Sequence, residues 1–276
     1  MTTPVDLEKH REDFLKFLGT AGARFVVSRQ LRASGGLWLS AGDVNILIDP
    51  GPGSLVKCFS SKPKLNPSSL NGIILTHRHL DHSNDVNIMI EAMTDGGKNQ
   101  KGFLLAPRDA LEGKDPVVQF YLREFLNNID YLQEKKEYAF PSFTMETSAK
   151  HHHPVETYGL KFAFPYGKIF LISDTAFFPD LIDFYKDADI LIINVVIFKI
   201  QEQGKIYHLD FEQAKEIIKG IKPKIGVLTH FGISMLQHKP YLLAARLQEE
   251  LGIKIIAAYD GLKLSLPGLL AAYKES

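Results

Sequence analysis

The chain has 276 residues, and its content of 45% hydrophobic and 23% charged residues is that of a globular protein with a substantial core. Lysine plus arginine number 32, and aspartate plus glutamate also number 32, so no global positive field attracts nucleic acid. The neutral total does not exclude a local basic patch. The single cysteine, Cys58, excludes an internal disulfide framework and is typical of a reducing compartment.

The N-terminal segment and the apolar runs bear on localisation. Residues 1–17 are rich in charge and lack the apolar core of a secretory signal peptide. The longest apolar run, residues 190–198 with one asparagine inside it, is far too short to cross a bilayer. We therefore expect a cytoplasmic protein with no membrane-spanning segment.

The first 77 residues predict one helix followed by strands. Residues 5–18 place apolar side chains among charges, which predicts a helix, and residues 23–30 (ARFVVSRQ) predict a strand. Two apolar runs at 37–39 and 44–48 predict a hairpin. The segment 71–77, NGIILTH, is too short for a helix and rich in isoleucine, which predicts a buried strand.

The middle of the chain predicts a helical insertion between buried strands. Residues 103–107 (FLLAP) predict a short strand, and residues 110–137 are mainly helical in pattern. We interpret the stretch at about 108–140 as a cap-like insertion that covers the site and selects the substrate. Its apolar stripe would equally suit a dimer face, because such stripes more often serve packing than recognition. Two further buried strands are predicted in KIFLISDT (168–175) and ADILIINVVI (188–197).

The last 70 residues predict two helices and three strands. Asp210 can cap a helix over residues 211–221, with Gln213 at the third helical position as in a capping box. The remaining predicted elements are a strand at 224–230, a helix from Pro240 to about Leu251, and two strands around Asp260-Gly261.

The order of these elements predicts a single domain. Strands mixed with helices, without a linker or a low-complexity segment, indicate one α/β domain over residues 1–276. The segments IILTH and GVLTH, which end at His77 and His230, give two strands in the two halves the same ending. They indicate a duplicated architecture that brings histidines to one shared edge.

Four metal-capable side chains follow the strand that ends in IILT: His77, His79, Asp81 and His82. The end of a buried strand lies at the rim of a sheet, where open α/β folds hold their sites, and imidazole and carboxylate are preferred ligands of zinc. The side chains of Asp81 and His82 diverge because the residues are adjacent. The spacing therefore favours two neighbouring ions, the first on the two leading histidines and the second on the Asp81-His82 pair. A polar surface turn is the alternative.

The same stretch carries a family resemblance. THRHLDH matches the T-H-x-H-x-D-H signature of the metallo-β-lactamase-fold hydrolases, and later landmarks in the family's order extend the resemblance over nearly the whole chain. These landmarks are NILIDPGPG, HPVETYGLKFAF, KIFLISDT and GVLTHF, and the second is similar to the phosphodiesterase and tRNA 3′-processing-nuclease branch. The resemblance implies an α/β fold, a four-layer αββα sandwich of two mixed sheets flanked by helices.

The resemblance also implies a complete set of metal ligands. The first ion would be held by His77, His79 and His153, and the second by Asp81, His82 and His230, with Asp174 bridging both.

Two of these assignments leave alternatives open. The family pattern places a glycine six residues after the third ligand, which Gly159 satisfies if that ligand is His153; His151 is the alternative. By itself, Asp174 after an apolar strand could equally be a cap or a turn residue.

Three residues, one of them the ligand Asp81, are assigned roles other than holding an ion. His208 resembles an extra histidine that contacts the scissile phosphate and protonates the leaving oxygen, and the alternative is a solvated loop histidine. Asp81 can orient the hydroxide as well as bind metal. Asp49 is expected to orient ligands rather than bind an ion itself.

The resemblance and the ligand chemistry together imply a dinuclear metal-dependent hydrolase that uses a metal-bridging hydroxide. Zinc is the expected metal, with manganese or iron as alternatives. A small-molecule or nucleotide-type phosphodiester is the expected substrate; nucleic acid is not favoured, because the chain is neutral and lacks a Gly/Pro-rich arm. The alternatives are hydrolysis of a carboxylic ester, lactone or thioester, di-iron redox chemistry, and a non-catalytic metal-stabilised binding protein. No membrane partner is expected, and a homodimer stays open.

Overall fold

The computed structural model describes residues 12–200 and 205–272, which contain fourteen strands in two seven-stranded sheets. The strands are β1 (Phe14–Phe17), β2 (Leu37–Ala41), β3 (Val44–Ile48), β4 (Gly72–Ile74), β5 (Phe103–Ala106), β6 (Asn128–Tyr131), β7 (Glu137–Ala139), β8 (Thr144–Lys150), β9 (Tyr158–Phe164), β10 (Gly167–Ile172), β11 (Ile190–Asn194), β12 (Ile225–Thr229), β13 (Lys254–Ala257) and β14 (Lys263–Ser265).

The helices of the described residues are short, apart from three of nine to twelve residues. They are α1 (Ala23–Ser28), α2 (Ser54–Ser60), α3 (Leu80–Ser83), α4 (Val86–Thr94), α5 (Arg108–Leu111), α6 (Phe120–Arg123), α7 (Asp180–Tyr185), α8 (Phe211–Ile221), α9 (Ile233–Gln237), α10 (Pro240–Leu251) and α11 (Leu266–Ala271), with a 3₁₀ turn at Pro67–Ser69.

Each sheet has an antiparallel part and a parallel part. The first sheet has the order β14-β1-β2-β3-β4-β5-β6, antiparallel as far as β3 and parallel from there. The second has the order β13-β12-β11-β10-β9-β8-β7, parallel as far as β10 and antiparallel from there. The IILTH and GVLTH strands become β4 and β12, each in the parallel part of its own sheet.

The two sheets pack face to face because their strands alternate apolar side chains between two faces. On β11, Ile190 and Ile192 enter the core between the sheets, while Leu191 and Ile193 pack under helices of the second sheet. The outer face of the first sheet is covered in the same way by α2, α4, α5 and α6. Both sheets therefore lie between helical layers, and the predicted αββα sandwich is confirmed.

Helix α8 begins as its sequence predicts. The Asp210 carboxylate accepts a hydrogen bond from the Gln213 N–H at 2.9 Å, and the Gln213 side chain accepts one from the Asp210 N–H at 3.2 Å. This reciprocal pair satisfies two N–H groups at the start of the helix. It also fixes the chain two positions after His208.

The predicted helix over residues 5–18 is wrong in the part that the structure describes; residues 5–11 lie outside the described residues. Residues 14–17 form β1, which pairs with β2 on one side and β14 on the other. Leu15 and Phe17 are buried between the sheets. Pairing with two distant strands outweighs the helix-like spacing of apolar and charged residues, which is only a local preference.

The predicted strand at residues 23–30 is also wrong, because residues 23–28 form helix α1. The chain turns away from the sheet at Gly22, whose N–H donates to the carbonyl of Phe231. A Cβ at Gly22 would lie 2.1 Å from the carbonyl oxygen of His230, so only glycine allows this close approach. Having left the sheet, the backbone has no strand partner and satisfies its hydrogen bonds locally.

The predicted helical content of the stretch 108–140 is wrong as well. The stretch contains two four-residue helices, α5 and α6, and then the strands β6 and β7. Leu111, Leu122 and Leu126 have helix-like spacing, but they pack into the outer face of the first sheet, and β6 extends that sheet by pairing with β5. Whether this stretch covers the site and selects the substrate stays a prediction.

No helix within residues 12–200 and 205–272 combines the length and the apolar character needed to cross a membrane.

Candidate metal centre

The predicted ligands come from four separate segments that meet at one edge of the sandwich. His77 follows β4 at a distance of three residues, and His230 directly follows β12. Asp174 lies two residues after β10, and His153 lies in the loop between β8 and β9. Parallel strands have their carboxyl ends at the same edge of a sheet. Because the two sheets face each other, these two edges lie next to one another.

These side chains form three overlapping groups of donor atoms, each within a span of 4.8 Å. In the first group, His153 Nε2 lies 3.0 Å from His79 Nδ1. In the third group, His82 Nε2 lies 3.2 Å from His230 Nε2. The groups are His77, His79 and His153; His77, His82 and Asp174; and Asp81, His82 and His230.

Asp174 belongs to the second group and also faces members of the other two. Its Oδ2 is 3.8 Å from His77 Nε2 and 3.6 Å from His82 Nε2. Its Oδ1 is 3.5 Å from His230 Nε2. The two oxygens of the Asp174 carboxylate therefore face histidines from the first half of the chain and from the second half. A carboxylate shared between two ions would be placed in this way.

The donor atoms of the centre suit a divalent cation. Nε2 of His77 is buried and has no hydrogen-bond partner among the described residues. A buried polar atom without a partner is costly, and a metal ion would satisfy its lone pair. The contact between the Nε2 atoms of His82 and His230 is favourable only when a proton or a cation lies between them. Imidazole and carboxylate donors without a thiolate fit zinc and also manganese or iron.

The first group is kept neutral, which is the state that binds metal. Burial lowers the pKa of His77 and His79, and it lowers the pKa of His153 to about 4. When the pH is above its pKa, an imidazole is neutral and carries a free lone pair on one nitrogen. At neutral pH, these three side chains are therefore ready to donate.

The remaining members of the groups, which are Asp81, His82, Asp174 and His230, favour their charged forms. Burial alone would lower the pKa of His230, but Asp174 and Asp81 outweigh it and raise the pKa to about 9. His82 behaves in the same way, with Asp49 as the strongest opposing charge, and its pKa lies well above the usual value. Burial opposes ionisation of Asp174, yet nearby histidines led by His230 hold its pKa well below the usual range. Without metal, these acids and bases neutralise one another.

Hydrogen bonds outside the centre orient the ring nitrogens that face it. The Nδ1–H of His82 donates to Asp49 Oδ2 at 2.9 Å, and the Nδ1–H of His153 donates to the Tyr207 carbonyl at 3.1 Å. Asp49 also accepts from the N–H and the hydroxyl of Thr76, at 2.6 and 2.7 Å. Each of the two ring contacts leaves Nε2 directed into the centre, as the outer hydrogen-bond partners of metal-binding histidines do. Asp49 thus contacts the outer nitrogen of the His82 ring and is not a member of a donor group.

The run of three histidines divides into different roles. His153 joins the centre, whereas the ring of His152 stacks on Phe178 with centroids 4.1 Å apart. His151 is buried away from the donor groups, where its Nδ1–H donates to the Asp174 carbonyl at 3.3 Å and its Nε2 accepts from Tyr185 at 2.8 Å. Both nitrogens of His151 are occupied, so its geometry favours His153 as the third ligand.

His208 lies beside the centre rather than within a donor group. Its Nδ1 is 3.5 Å from Asp174 Oδ2, and its ring centroid is 5.2 Å from that of His153. The side chain is 27% exposed, so it can reach a molecule bound at the open side of the centre. The distance to Asp174 is too long for a hydrogen bond, and Nδ1 has no partner among the described residues.

One contact of the centre escaped the sequence reasoning. Asn194, at the end of β11, donates through Nδ2 to Asp174 Oδ1 at 2.9 Å. The available signal was a single asparagine within the apolar run ILIINVVI, at the end of a predicted buried strand. An amide in such a position must find a hydrogen-bond partner, which would have marked it as a neighbour of the site.

Comparison with known proteins agrees with this geometry. A family model described as a beta-lactamase superfamily domain matches residues 44–231, which include all seven predicted ligands. The uncharacterized protein MJ1374 of Methanocaldococcus jannaschii is 31% identical over 257 residues, covering 91% of this chain and 94% of that protein. YhfI of Bacillus subtilis, a metallo-beta-lactamase fold protein, is 27% identical over 208 residues, covering 73% of this chain and 82% of YhfI.

Solved structures share the fold. The crystal structure of YhfI matches with a TM-score of 0.74 at 20% identity, covering 92% of this chain and 99% of YhfI. The short form of human tRNase Z matches with a TM-score of 0.67 at 17% identity over 92% and 99% of the two chains. A diphosphatase of the PhnP family matches with a TM-score of 0.65 at 18% identity over 92% and 97%. Identities this low show the metallo-hydrolase fold alone.

Proposed function

This chain belongs to the beta-lactamase superfamily, and we propose that it is a hydrolase that uses two divalent metal ions, zinc by preference, to cleave a phosphodiester. The single observation that carries this proposal is the convergence of seven histidine and aspartate side chains into three overlapping donor groups. Asp174 faces histidines of both halves, which supports two neighbouring ions rather than one.

The proposed ligand sets follow the geometry. The first ion would be held by His77, His79 and His153, the second by Asp81, His82 and His230, and both by Asp174.

When bound there, divalent ions would lower the pKa of a water molecule toward neutrality and withdraw charge from phosphoryl oxygens. The chain's own residues do the remaining work. Asp81 lies at the edge of the third group, with Oδ2 3.5 Å from His230 Nε2, where its second oxygen can accept a hydrogen bond from an attacking water. The ring contacts of Asp49 and Tyr207 hold the ligands in one orientation, so that the site is formed before substrate binds.

His208 is the proposed general acid. It is partly exposed, it lies next to Asp174, and it belongs to none of the three donor groups. An imidazole can hold and deliver a proton near neutral pH. In cleavage of a phosphodiester, the leaving alkoxide oxygen is a strong base and needs that proton, whereas the leaving group of a thioester needs it far less. The presence of His208 therefore favours the phosphodiester over the thioester among the substrates considered.

Two fold relatives are by name a tRNase and a diphosphatase, and both names denote phosphate chemistry. They support phosphorus as the reacting centre. Between the two, the zero formal net charge of this chain favours a small or nucleotide-type phosphodiester over a large polyanion.

Turnover of bis(p-nitrophenyl) phosphate by purified protein reconstituted with Zn²⁺ or Mn²⁺ tests the proposal, with metal content measured in the same samples. We expect up to two equivalents of metal and hydrolysis that depends on them. Asp174→Ala should lose both metal and activity, whereas Asp183→Ala, an exposed aspartate of α7, should lose neither.

Two results would count against the proposal. If Asp174→Ala lost metal but kept full activity, the assigned centre would not be the catalytic one. If the rate enhancement over the uncatalysed reaction were far larger for p-nitrophenyl acetate or a thioester than for the phosphodiester, the ester-type alternative would replace the phosphodiester.

A further inference from the structure

The position of Asn194 is fixed by the sheet that carries the centre. It is the last residue of β11 and is paired with Thr229 on β12, directly before His230. The next residue, Val195, donates its N–H to the Thr229 carbonyl at 2.9 Å. The other neighbour of β11 is β10, the strand that leads to Asp174. Asn194 therefore lies on the strand between the two segments that supply Asp174 and His230.

The side chain of Asn194 reaches sideways to the carboxylate of Asp174. Asn194 is 8% exposed, and its Nδ2 donates to Asp174 Oδ1 at 2.9 Å. With Oδ1 engaged on this side, Oδ2 faces His82 at 3.6 Å and His208 at 3.5 Å. The hydrogen bond thus fixes the rotation of the carboxylate, which decides which oxygen each histidine meets.

The chemistry of the amide suits this task. A buried carboxylate needs hydrogen-bond donors, and an amide supplies one without adding charge. A lysine or arginine would compete with a metal ion for Asp174 through its own positive charge. A second carboxylate would accept rather than donate and would repel the first. Asparagine provides the donor and leaves the negative charge of Asp174 available to a cation.

We propose that Asn194 is a positioning residue that sets the orientation of the Asp174 carboxylate and thereby the affinity of the centre for metal. The inference rests on the proposed function, in which Asp174 binds both ions. Asn194 itself belongs to none of the three donor groups and contacts the centre only through Asp174. Loss of an outer partner of a metal ligand commonly weakens metal binding by about 10–100-fold.

Asn45 provides a matched control. It is also a buried strand asparagine, 3% exposed, and its Nδ2 donates to the Ser69 carbonyl at 3.0 Å. It lies on β3, at the end of the strand remote from Asp49, and has no contact with a predicted ligand. Loss of its amide removes one buried hydrogen bond of comparable length, so it measures the purely structural cost.

The experiment compares metal-free wild-type protein with Asn194→Leu, which keeps the branched shape of the side chain, with larger methyl groups, but removes the donor, and with Asn45→Leu. Zn²⁺ affinity and stoichiometry are measured by competition with a chelating dye, and Co²⁺-loaded samples are compared by their visible absorption. We expect Asn194→Leu to bind Zn²⁺ about 10–100-fold more weakly and to shift the Co²⁺ bands. Asn45→Leu should change neither, even if its melting temperature falls.

Asn194→Ala serves as the second variant if the leucine variant does not fold. Wild-type affinity together with an unchanged Co²⁺ spectrum in either folded Asn194 variant would overturn the inference and leave the proposed function standing. If the wild-type protein itself bound no divalent ion, the proposed function would fail first and the inference with it.

Discussion

Nε2 of His82 and Nε2 of His230 lie 3.2 Å apart, although 148 positions of sequence separate the two residues. One follows a strand of the first sheet and the other follows a strand of the second. The centre therefore forms only when the two sheets close on each other. A mutation that loosens the packing between the sheets should weaken metal binding even at a distance from the ligands.

Removal of His208 should affect chemistry and leave metal binding intact. His208→Ala deletes the proposed proton donor but none of the donor groups. With a dinucleotide substrate, whose leaving group is an alkoxide, we expect wild-type metal content and hydrolysis slower by about 10²–10⁴-fold, the usual contribution of general acid catalysis. Hydrolysis of bis(p-nitrophenyl) phosphate should slow much less, because p-nitrophenolate leaves without a proton. His238→Ala, which removes an exposed histidine stacked on Phe198, is the control and should be as active as wild type. An unchanged rate for His208→Ala would make His208 a bystander.

Loss of the Asp49 carboxylate should weaken metal binding without removing a ligand. Asp49 accepts the Nδ1–H of His82 and two hydrogen bonds from Thr76. Asp49→Asn keeps the shape but makes His82 a poorer donor and frees its ring, so we expect about 10–100-fold lower Zn²⁺ affinity. Asp43→Asn is the control, because Asp43 lies in the exposed turn directly before β3, the strand that Asp49 follows. Equal affinities in titration with a chelating dye would contradict the role given to Asp49.

Metal binding should release protons, and its apparent affinity should rise with pH. The carboxylates around His230 raise its pKa to about 9, and those around His82 raise its pKa too, so the facing pair of rings keeps a proton between its Nε2 atoms at neutral pH in the metal-free protein. A cation can take the lone pairs of both rings only after this proton leaves. We expect Zn²⁺ affinity to increase from pH 6 toward pH 9. Calorimetry in buffers of different ionisation enthalpy measures the protons released, and a value of zero at pH 7 would contradict this.

The buried pair of His151 and Tyr185 should make the protein sensitive to acid. Burial lowers the pKa of His151 from its ordinary value of 6.5 to about 3, so the folded state keeps it neutral while the unfolded chain protonates it. The unfolded state therefore binds more protons between these values, and stability falls as pH decreases from about 6.5 toward 3. We expect this slope to be smaller in His151→Gln, measured by urea unfolding of metal-free protein at several pH values.

The exposed His238 provides the comparison for that slope. His238→Gln should lose stability on acidification as steeply as wild type, because this variant leaves the buried His151 unchanged. If His151→Gln and wild type had the same slope, another group would be responsible. Tyr185→Phe should cost about 1 kcal/mol at neutral pH, because it removes one buried hydrogen bond to His151.

Local signals in the sequence were reliable where the chain itself supplies the partner. The capping box of α8 joins residues three positions apart, and the hairpin of β2 and β3 joins neighbours through a two-residue turn. The same reasoning failed at residues 14–17 and 23–28. There the outcome depends on whether distant strands offer hydrogen bonds, which they do for Leu15 and do not for Val26.

By itself, the sequence determined the residue types of the centre and their order. THRHLDH, the aspartate after KIFLIS and the histidine after GVLT were all readable without coordinates, because each directly follows a short apolar strand. Only the tertiary structure decided how they meet. The distance between His153 and His79, the turning of His151 toward Tyr185, and the contact of Asn194 with Asp174 depend on how the two sheets pack. Side-chain directions in loops and across strands follow from that packing, and no local pattern encodes it.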